Sequence, residues 1–121
     1  MKVLARLFVF LLMGASMVAY SQEKIDLLIL NKNFNAALQQ IDNQLNKQPR
    51  AELYLKKGLV YNQLQDYDDA LKAFAEAQKL APNNPEVLQE LAEAHAVLGN
   101  YIDALPYYER AYRLEIGRAH V

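Results

Sequence analysis

The sequence predicts an all-α array of helix–turn–helix repeats, and three observations carry that prediction. Phe34-Asn35-Ala36-Ala37-Leu38, with Ile41 and Pro49, returns as Tyr67-Asp68-Asp69-Ala70-Leu71 with Phe74 and Pro82, and again as Tyr101-Ile102-Asp103-Ala104-Leu105 with Tyr108. Such a period, with two apolar helical stretches in each step, marks a helical repeat array rather than a fold around one closed core. Apolar residues also recur at helical spacing, as in Leu53, Tyr54, Gly58, Tyr61 and Leu64, or Leu71, Phe74, Ala77 and Leu80. Small residues return where paired helices must approach closely: Gly58, Ala70 and Ala77 in one repeat, Ala92, Ala104 and Ala111 in the next.

The elements follow in chain order. Residues 1–21 read as a secretory signal peptide: a basic start (Lys2, Arg6), an apolar run from Leu7 to Met13, and Ala19-Tyr20-Ser21 as a small-residue exit, with cleavage before Gln22. The apolar stretch Leu7–Ala19 is well short of the ~20 residues needed to span a bilayer, so removal is expected rather than anchoring. Residues 22–114 hold three repeats (22–50, 51–84 and 85–114). Helices are expected over Glu23–Lys32, Asn35–Asn46, Ala51–Leu64, Tyr67–Leu80, Pro85–Leu98 and Tyr101–Leu114. Asn31-Lys32-Asn33, Gln65-Asp66 and Gly99-Asn100 supply the tight turns within the repeats. Asn83-Asn84-Pro85-Glu86 offers a cap, a helix-starting proline and an acid at the positive helix end. Pro106 removes a backbone donor inside the last helix, and a slight kink near Ile102 is expected instead of a break.

Residues 115–121, Glu115-Ile116-Gly117-Arg118-Ala119-His120-Val121, leave the pattern abruptly. They match the translation of a common sequencing adaptor, GAG ATC GGA AGA GCA CAC GTC, and read as a non-native tail, which implies an amino-terminal piece of a longer protein. The expected mature chain loses three of 13 basic residues (Lys2, Arg6, Arg118) and one of 14 acidic residues (Glu115), leaving 10 and 13 and a net charge of −3. That balance disfavours nucleic acid and anionic lipid as partners.

The inventory of reactive groups is thin. Between Gln22 and Leu114 there is no Ser, Thr or Cys, so covalent catalysis by those side chains is excluded there. His95 is the single histidine of that stretch, and a metal site would need several ligands; it is expected to pack in the core. Asp68-Asp69 sits in a first helical turn, where carboxylates meet unpaired backbone donors. Glu86, Glu90 and Glu93 share one helix face and read as solvated. Gly58 and Gly99 are too scattered for a phosphate-cradling loop. No cofactor and no metal are expected, and the chain is not expected to be an enzyme. Tyr54, Tyr61, Tyr67, Tyr101 and Tyr108 occupy repeat positions and are expected in the core, whereas Tyr107 and Tyr112 are free to make surface contacts.

Period and residues together resemble the tetratricopeptide repeat, a helix–turn–helix unit of about 34 residues with the pattern W-x2-L-G-x2-Y…A-x3-F…P. The middle repeat reads Tyr54-x2-Lys57-Gly58-x2-Tyr61, then Ala70-x3-Phe74 and Pro82; the next reads Leu88-x2-Leu91-Ala92-x2-His95, then Ala104-x3-Tyr108. The first is looser: Lys24, Ile25 and Leu28, then Ala37-x3-Ile41 and Pro49. The resemblance implies a right-handed superhelix whose stability comes from stacking. It also implies a concave groove, lined by the first helix of each repeat, that holds a protein or peptide segment. By register that groove would present Asp26 and Ile29, then Leu55, Leu59, Asn62 and Gln63, then Gln89, Glu93, Ala96 and Val97. Some members grip a terminal carboxylate with Lys and Asn; here Leu55, Leu59, Gln89 and Glu93 hold those places, so that clamp is absent. The expected ligand is a neutral-to-basic segment with apolar side chains meeting Leu55 and Leu59, unless both leucines pack against a neighbouring helix.

The functional expectation is an exported, non-catalytic binding scaffold of the cell envelope, periplasmic or extracellular, with no membrane contact after signal removal. The alternative is a binding module of a larger enzyme or sensor. An array without a polar closing helix would leave the helix Tyr101–Leu114 partly unsheltered, which again suggests missing sequence; self-association through the open end of the array is a third option.

Overall fold

A computed structural model describes residues 2–119, with side chains from Ser16 to Arg118 and at Arg6. The leader's Lys2 and Leu7–Met13 side chains and the tail's His120 and Val121 lie outside the described residues. Among the described residues there are six helices: α1 (Lys2–Leu30), α2 (Phe34–Lys47), α3 (Ala51–Gln63), α4 (Tyr67–Leu80), α5 (Pro85–Val97) and α6 (Tyr101–Ala119). There is no strand among the described residues. The fold class is therefore all-α, built from helix–turn–helix pairs in tandem.

Two expected boundaries are corrected. The helix expected from Glu23 begins at Lys2, so the leader and the first repeat share one helix. The last helix does not end at Leu114 but runs to Ala119. Neither place carries a proline or a capping signal strong enough to stop a helix, and Gly117 alone does not. Pro106 lies inside α6, which continues through it.

Three turns repeat one geometry. Lys32, Gln65 and Gly99, at equivalent places in successive repeats, all take positive φ (57°, 61° and 83°). The next amide in each turn donates five residues back: Asn33 to the Leu28 carbonyl (2.8 Å), Asp66 to Tyr61 (2.9 Å) and Asn100 to His95 (2.8 Å). This 6→1 bond closes the helix end and satisfies a carbonyl the helix leaves unpaired. The opposite ends are capped where the sequence offers a cap. Asp66 accepts from the Asp69 amide at 3.3 Å, and Asn84 accepts from Glu86 and Val87 at 3.0 and 3.4 Å. Arg50, before α3, makes no side-chain cap.

The chain divides into two compact units, Met1–Gln40 and Ile41–Val121. In the first, Ile25 and Ala37 are fully buried. In the second, α4 packs on α3 on one side and on α5 on the other, and α5 packs on α6. Its core joins Leu55, Ala70, Phe74, Ala77, Val87, Leu91 and Ala94, with Tyr54, Leu59, Tyr61, Leu71, Ala75 and Tyr107 packed around them. The small residues sit where close approach was expected: Gly58, Ala70, Ala77, Ala92, Ala104 and Ala111 are all buried.

Candidate functional site

The groove positions fall into different environments. In the first unit, Asp26 is exposed on a shallow cleft of α1 with Gln22, Glu23, Leu27 and Leu30, and Ile29 is half-buried. In the second, Leu55 is only 8% exposed and belongs to the core cluster, with Leu59 packed against it. Leu55 therefore serves packing and offers little to a ligand. Asn62 is half-buried and Gln63 exposed, closing α3.

On α5 the counterparts of Leu55 and Leu59, one repeat on, are Gln89 and Glu93, and both are exposed. The Gln89 Nε2 amide donates to Glu93 Oε1 at 3.0 Å, holding the pair along the helix face. Ala96 is half-buried and Val97 exposed one turn further on. The outer face of α5 thus presents an amide, a carboxylate and a small apolar end. Glu90, between them, is half-buried; burial first, then the charges of Glu93 and Glu86, push its carboxyl above the usual carboxylate range. The solvated face expected from the sequence holds for Glu86 and Glu93, not fully for Glu90.

The carboxylates beside the α3–α4 cleft are occupied with lysines. This cleft, of about 190 Å³, is lined by Tyr54, Lys57, Tyr61, Asp69, Lys72, Ala73 and Glu76. Lys72 meets Asp69 at 2.7 Å and Lys79 meets Glu76 at 2.6 Å. The hydrogen bond and charge of Lys72 hold the Asp69 carboxyl below its ordinary value, the opposite of what a general acid at neutral pH requires. Lys57 reaches across to Asp42 of α2 at 2.7 Å. Burial pulls the Lys57 ammonium down, but its hydrogen bond and attraction to Asp42 outweigh that and leave it raised. Among the described residues no group of three or more His, Cys, Asp or Glu is placed to hold a metal ion. No helix among them is long and apolar enough to cross a membrane.

The aromatic residues divide differently from expectation. Tyr107 is no free surface residue. It packs against the core and stacks on His95 with ring centroids 5.6 Å apart and planes 10° from parallel. Tyr101 and Tyr108, expected in the core, are 71% and 38% exposed. The physical reason is that Phe74, the counterpart of Tyr108, lies against Gly58 of α3 and in one cluster with Val87, Leu91 and Ala94 of α5, whereas among the described residues no such further helix packs on Tyr108. Tyr112 is exposed as expected. The Lys57–Asp42 bond was invisible in the sequence, since its two residues lie on different helices and share no periodicity.

A tetratricopeptide repeat family model matches residues 24–85 and 55–119. Cellulose synthase operon protein C of Komagataeibacter xylinus is 37% identical over 49 residues, 40% of this chain and 4% of that protein. Human protein O-mannosyl-transferase TMTC1 is 31% identical over 91 residues, 69% of this chain and 10% of that protein. The chain spans a small fraction of the length of these curated relatives. Among solved structures, a crystal structure of MamA superposes with a TM-score of 0.75 at 21% identity, covering 80% of this chain and 57% of that one. MamA from Desulfovibrio magneticus RS-1 gives 0.74 at 21% identity, covering 80% and 55%. Identities this low speak for the fold alone. With the family model spanning both repeats of the second unit and reaching back to Lys24, and with the same turn closing all three helix pairs, the chain belongs to the tetratricopeptide repeat family.

Proposed function

We propose that the chain is an exported, non-catalytic scaffold that holds a protein or peptide segment along the first helices of its repeats. The observation that carries this reading is the exposed, hydrogen-bonded Gln89–Glu93 pair on α5, followed by Ala96 and Val97. Gln89, Glu93 and Val97 are exposed and Ala96 is half-buried, and all four stand in the register where the family holds its ligands. The segment taken is neutral to basic with apolar side chains. Glu93 supplies the charge it answers, and Leu59, Ala96 and Val97, more than the buried Leu55, supply the apolar contacts. Support for a non-catalytic role comes from the lysine-paired carboxylates and from the absence of Ser, Thr and Cys between Gln22 and Leu114. The net charge of −3 argues against nucleic acid as the ligand.

Selection from a displayed random-peptide library tests the groove. Basic, apolar sequences should emerge, and Glu93→Lys and Val97→Asp should each weaken their binding about ten-fold, the scale of one charge reversal at a contact. Failure to select any peptide, or binding indifferent to both substitutions, overturns the groove. Leu55→Asp is unsuited to this test because it would disrupt the core. Export is tested separately by amino-terminal sequencing of the protein from fractionated cells: a Gln22 terminus in the envelope fraction supports it, and an intact Met1 in the cytoplasm refutes it.

A second reading has one observation in its favour. The curated relatives are far longer than the stretch they share with this chain, as expected if the repeats are a binding module within a larger enzyme or sensor. The unbroken downstream reading frame decides between the two.

A further inference from the structure

Each helix pair of the second unit frames a cleft at the same place in its repeat. The α3–α4 cleft has Tyr61, Asp69, Lys72 and Ala73 in its wall. One repeat on, His95, Asp103, Pro106 and Tyr107 hold those positions, and with Ile102 they line a cleft of about 500 Å³ between α5 and α6. Both clefts are open, the first although α5 and α6 follow it, the second although α3 and α4 precede it. A neighbouring repeat on either side therefore leaves this place in the repeat accessible.

The two clefts differ in one charge. In the α3–α4 cleft Asp69 holds Lys72, three residues on, at 2.7 Å, so the carboxylate is answered within the chain. The α5–α6 cleft keeps the carboxylate as Asp103 but has Pro106 where the lysine would stand. Among the described residues the exposed Asp103 side chain has neither a hydrogen-bond nor an ion-pair partner. The neighbouring cations are committed elsewhere: Arg110, two turns along α6, donates to Asn83 at 2.5 Å, and Lys79 of α4 meets Glu76. The rim turns apolar at the same time. Ile102, 89% exposed, stands where the earlier repeat has Asp68, and Tyr107, stacked on His95, stands where it has Ala73. An unanswered carboxylate thus sits beside an exposed isoleucine, a proline and an aromatic pair.

We infer that the α5–α6 cleft receives an arginine side chain of a partner protein, flanked by apolar residues. Its guanidinium takes at Asp103 the place that Lys72 takes at Asp69, and its apolar neighbours rest on Ile102 and Pro106. Charge complementarity selects the occupant: the fold already fills the equivalent cleft with a cation of its own, and here the cation must come from outside. Arginine suits the cleft better than lysine, because a guanidinium meets a carboxylate through two parallel N–H donors and its flat face lies on aromatic and apolar surface. The site is separate from the peptide groove. By the helical repeat, His95 lies on the side of α5 away from Gln89, Glu93 and Val97.

The test is a chemical-shift titration of the isotope-labelled chain with acetyl-Leu-Arg-Leu-amide, beside the same peptide carrying norleucine in place of arginine. The arginine peptide should shift the amides of Ile102, Asp103 and Tyr107 and bind about three- to five-fold more tightly than the norleucine peptide, the scale of one exposed ion pair. Asp103→Asn should remove that preference. Pro106→Lys sets a lysine three residues after Asp103, as Lys72 follows Asp69, and should remove it too without lowering the melting temperature. Both substitutions fall at exposed positions of α6, so the fold is retained. Glu93→Lys, in the groove, should leave the preference in place, which separates failure of the cleft from failure of the groove. An arginine peptide that shifts no amide of the cleft, or binds no better than the norleucine peptide, overturns the inference. So does a preference that survives both Asp103→Asn and Pro106→Lys, or one that Glu93→Lys abolishes.

Discussion

Gly58 of α3 faces the ring of Phe74 on α4: a Cβ at position 58 would collide with the Cδ1, Cε1 and Cζ carbons of that ring. Both residues are buried, and Phe74 is the largest fully buried side chain of the core. The absent side chain is what lets the ring lie between the paired helices. Gly58→Ala should therefore destabilise the fold despite alanine's better helix propensity, by about 1–3 kcal/mol for overpacking. Denaturant melts of Gly58→Ala, Phe74→Leu and the double variant check this. The double should lose less than the sum of the singles, because the smaller side chain vacates the space the methyl group needs.

The turn series makes a prediction with opposite signs at equivalent positions. Lys32, Gln65 and Gly99 share the left-handed conformation, but only Gly99 adopts it without a side-chain clash. The left-handed penalty of roughly 1–2 kcal/mol exceeds the entropy glycine loses on folding, roughly 0.5–1 kcal/mol. Lys32→Gly and Gln65→Gly should each stabilise by about 0.5–1 kcal/mol, and Gly99→Ala should destabilise by about 1 kcal/mol. Thermal melts of the three variants decide it.

How much of this is legible in the sequence depends on the range of the interaction. The α4 boundaries follow from local chemistry: Asp66 caps the amino end, and the helix closes before Pro82. The turns before Asn33, Asp66 and Asn100 are likewise marked by their own residues. Periodicity identifies the apolar face of α6 but not what covers it. Tyr108 therefore reads as core, although its counterpart Phe74 owes its burial to α3, where Gly58 faces it, and to Val87, Leu91 and Ala94 of α5 together. The same limit applies at Leu55, whose register fits a groove and whose burial depends on α4 and α5. Tyr107 carries no pattern at all, and its place is set by His95 on another helix.

Glu90 should make stability depend on pH. Its carboxyl is raised in the folded chain by burial and by the neighbouring Glu93 and Glu86. A raised acid binds its proton more tightly when folded, so folding is favoured below the ordinary carboxylate range near 4.5 and loses stability as pH rises through the folded value. Above that the penalty is constant. Glu90→Gln removes it, so the variant should match the parent near pH 4 and melt higher at pH 7. Glu90→Lys should gain more at pH 7, since α3 carries Lys56 at the equivalent place, 3.6 Å from Glu52. Melting curves across pH 4–8 that run parallel for parent and Glu90→Gln would refute this account.

His95 occupies the position that Tyr61 holds one repeat earlier, yet its Nδ1 is buried without a hydrogen-bond partner. A buried polar atom left unpaired costs about 1–3 kcal/mol, partly offset here by the stack on Tyr107. Phenylalanine keeps the ring against Tyr107 and removes the unpaired nitrogen. His95→Phe should therefore stabilise by about 1 kcal/mol, whereas Tyr107→Ala should destabilise by ~3–5 kcal/mol through the lost aromatic packing. A urea melt in which His95→Phe falls below the parent would show that the imidazole is held by an interaction other than stacking.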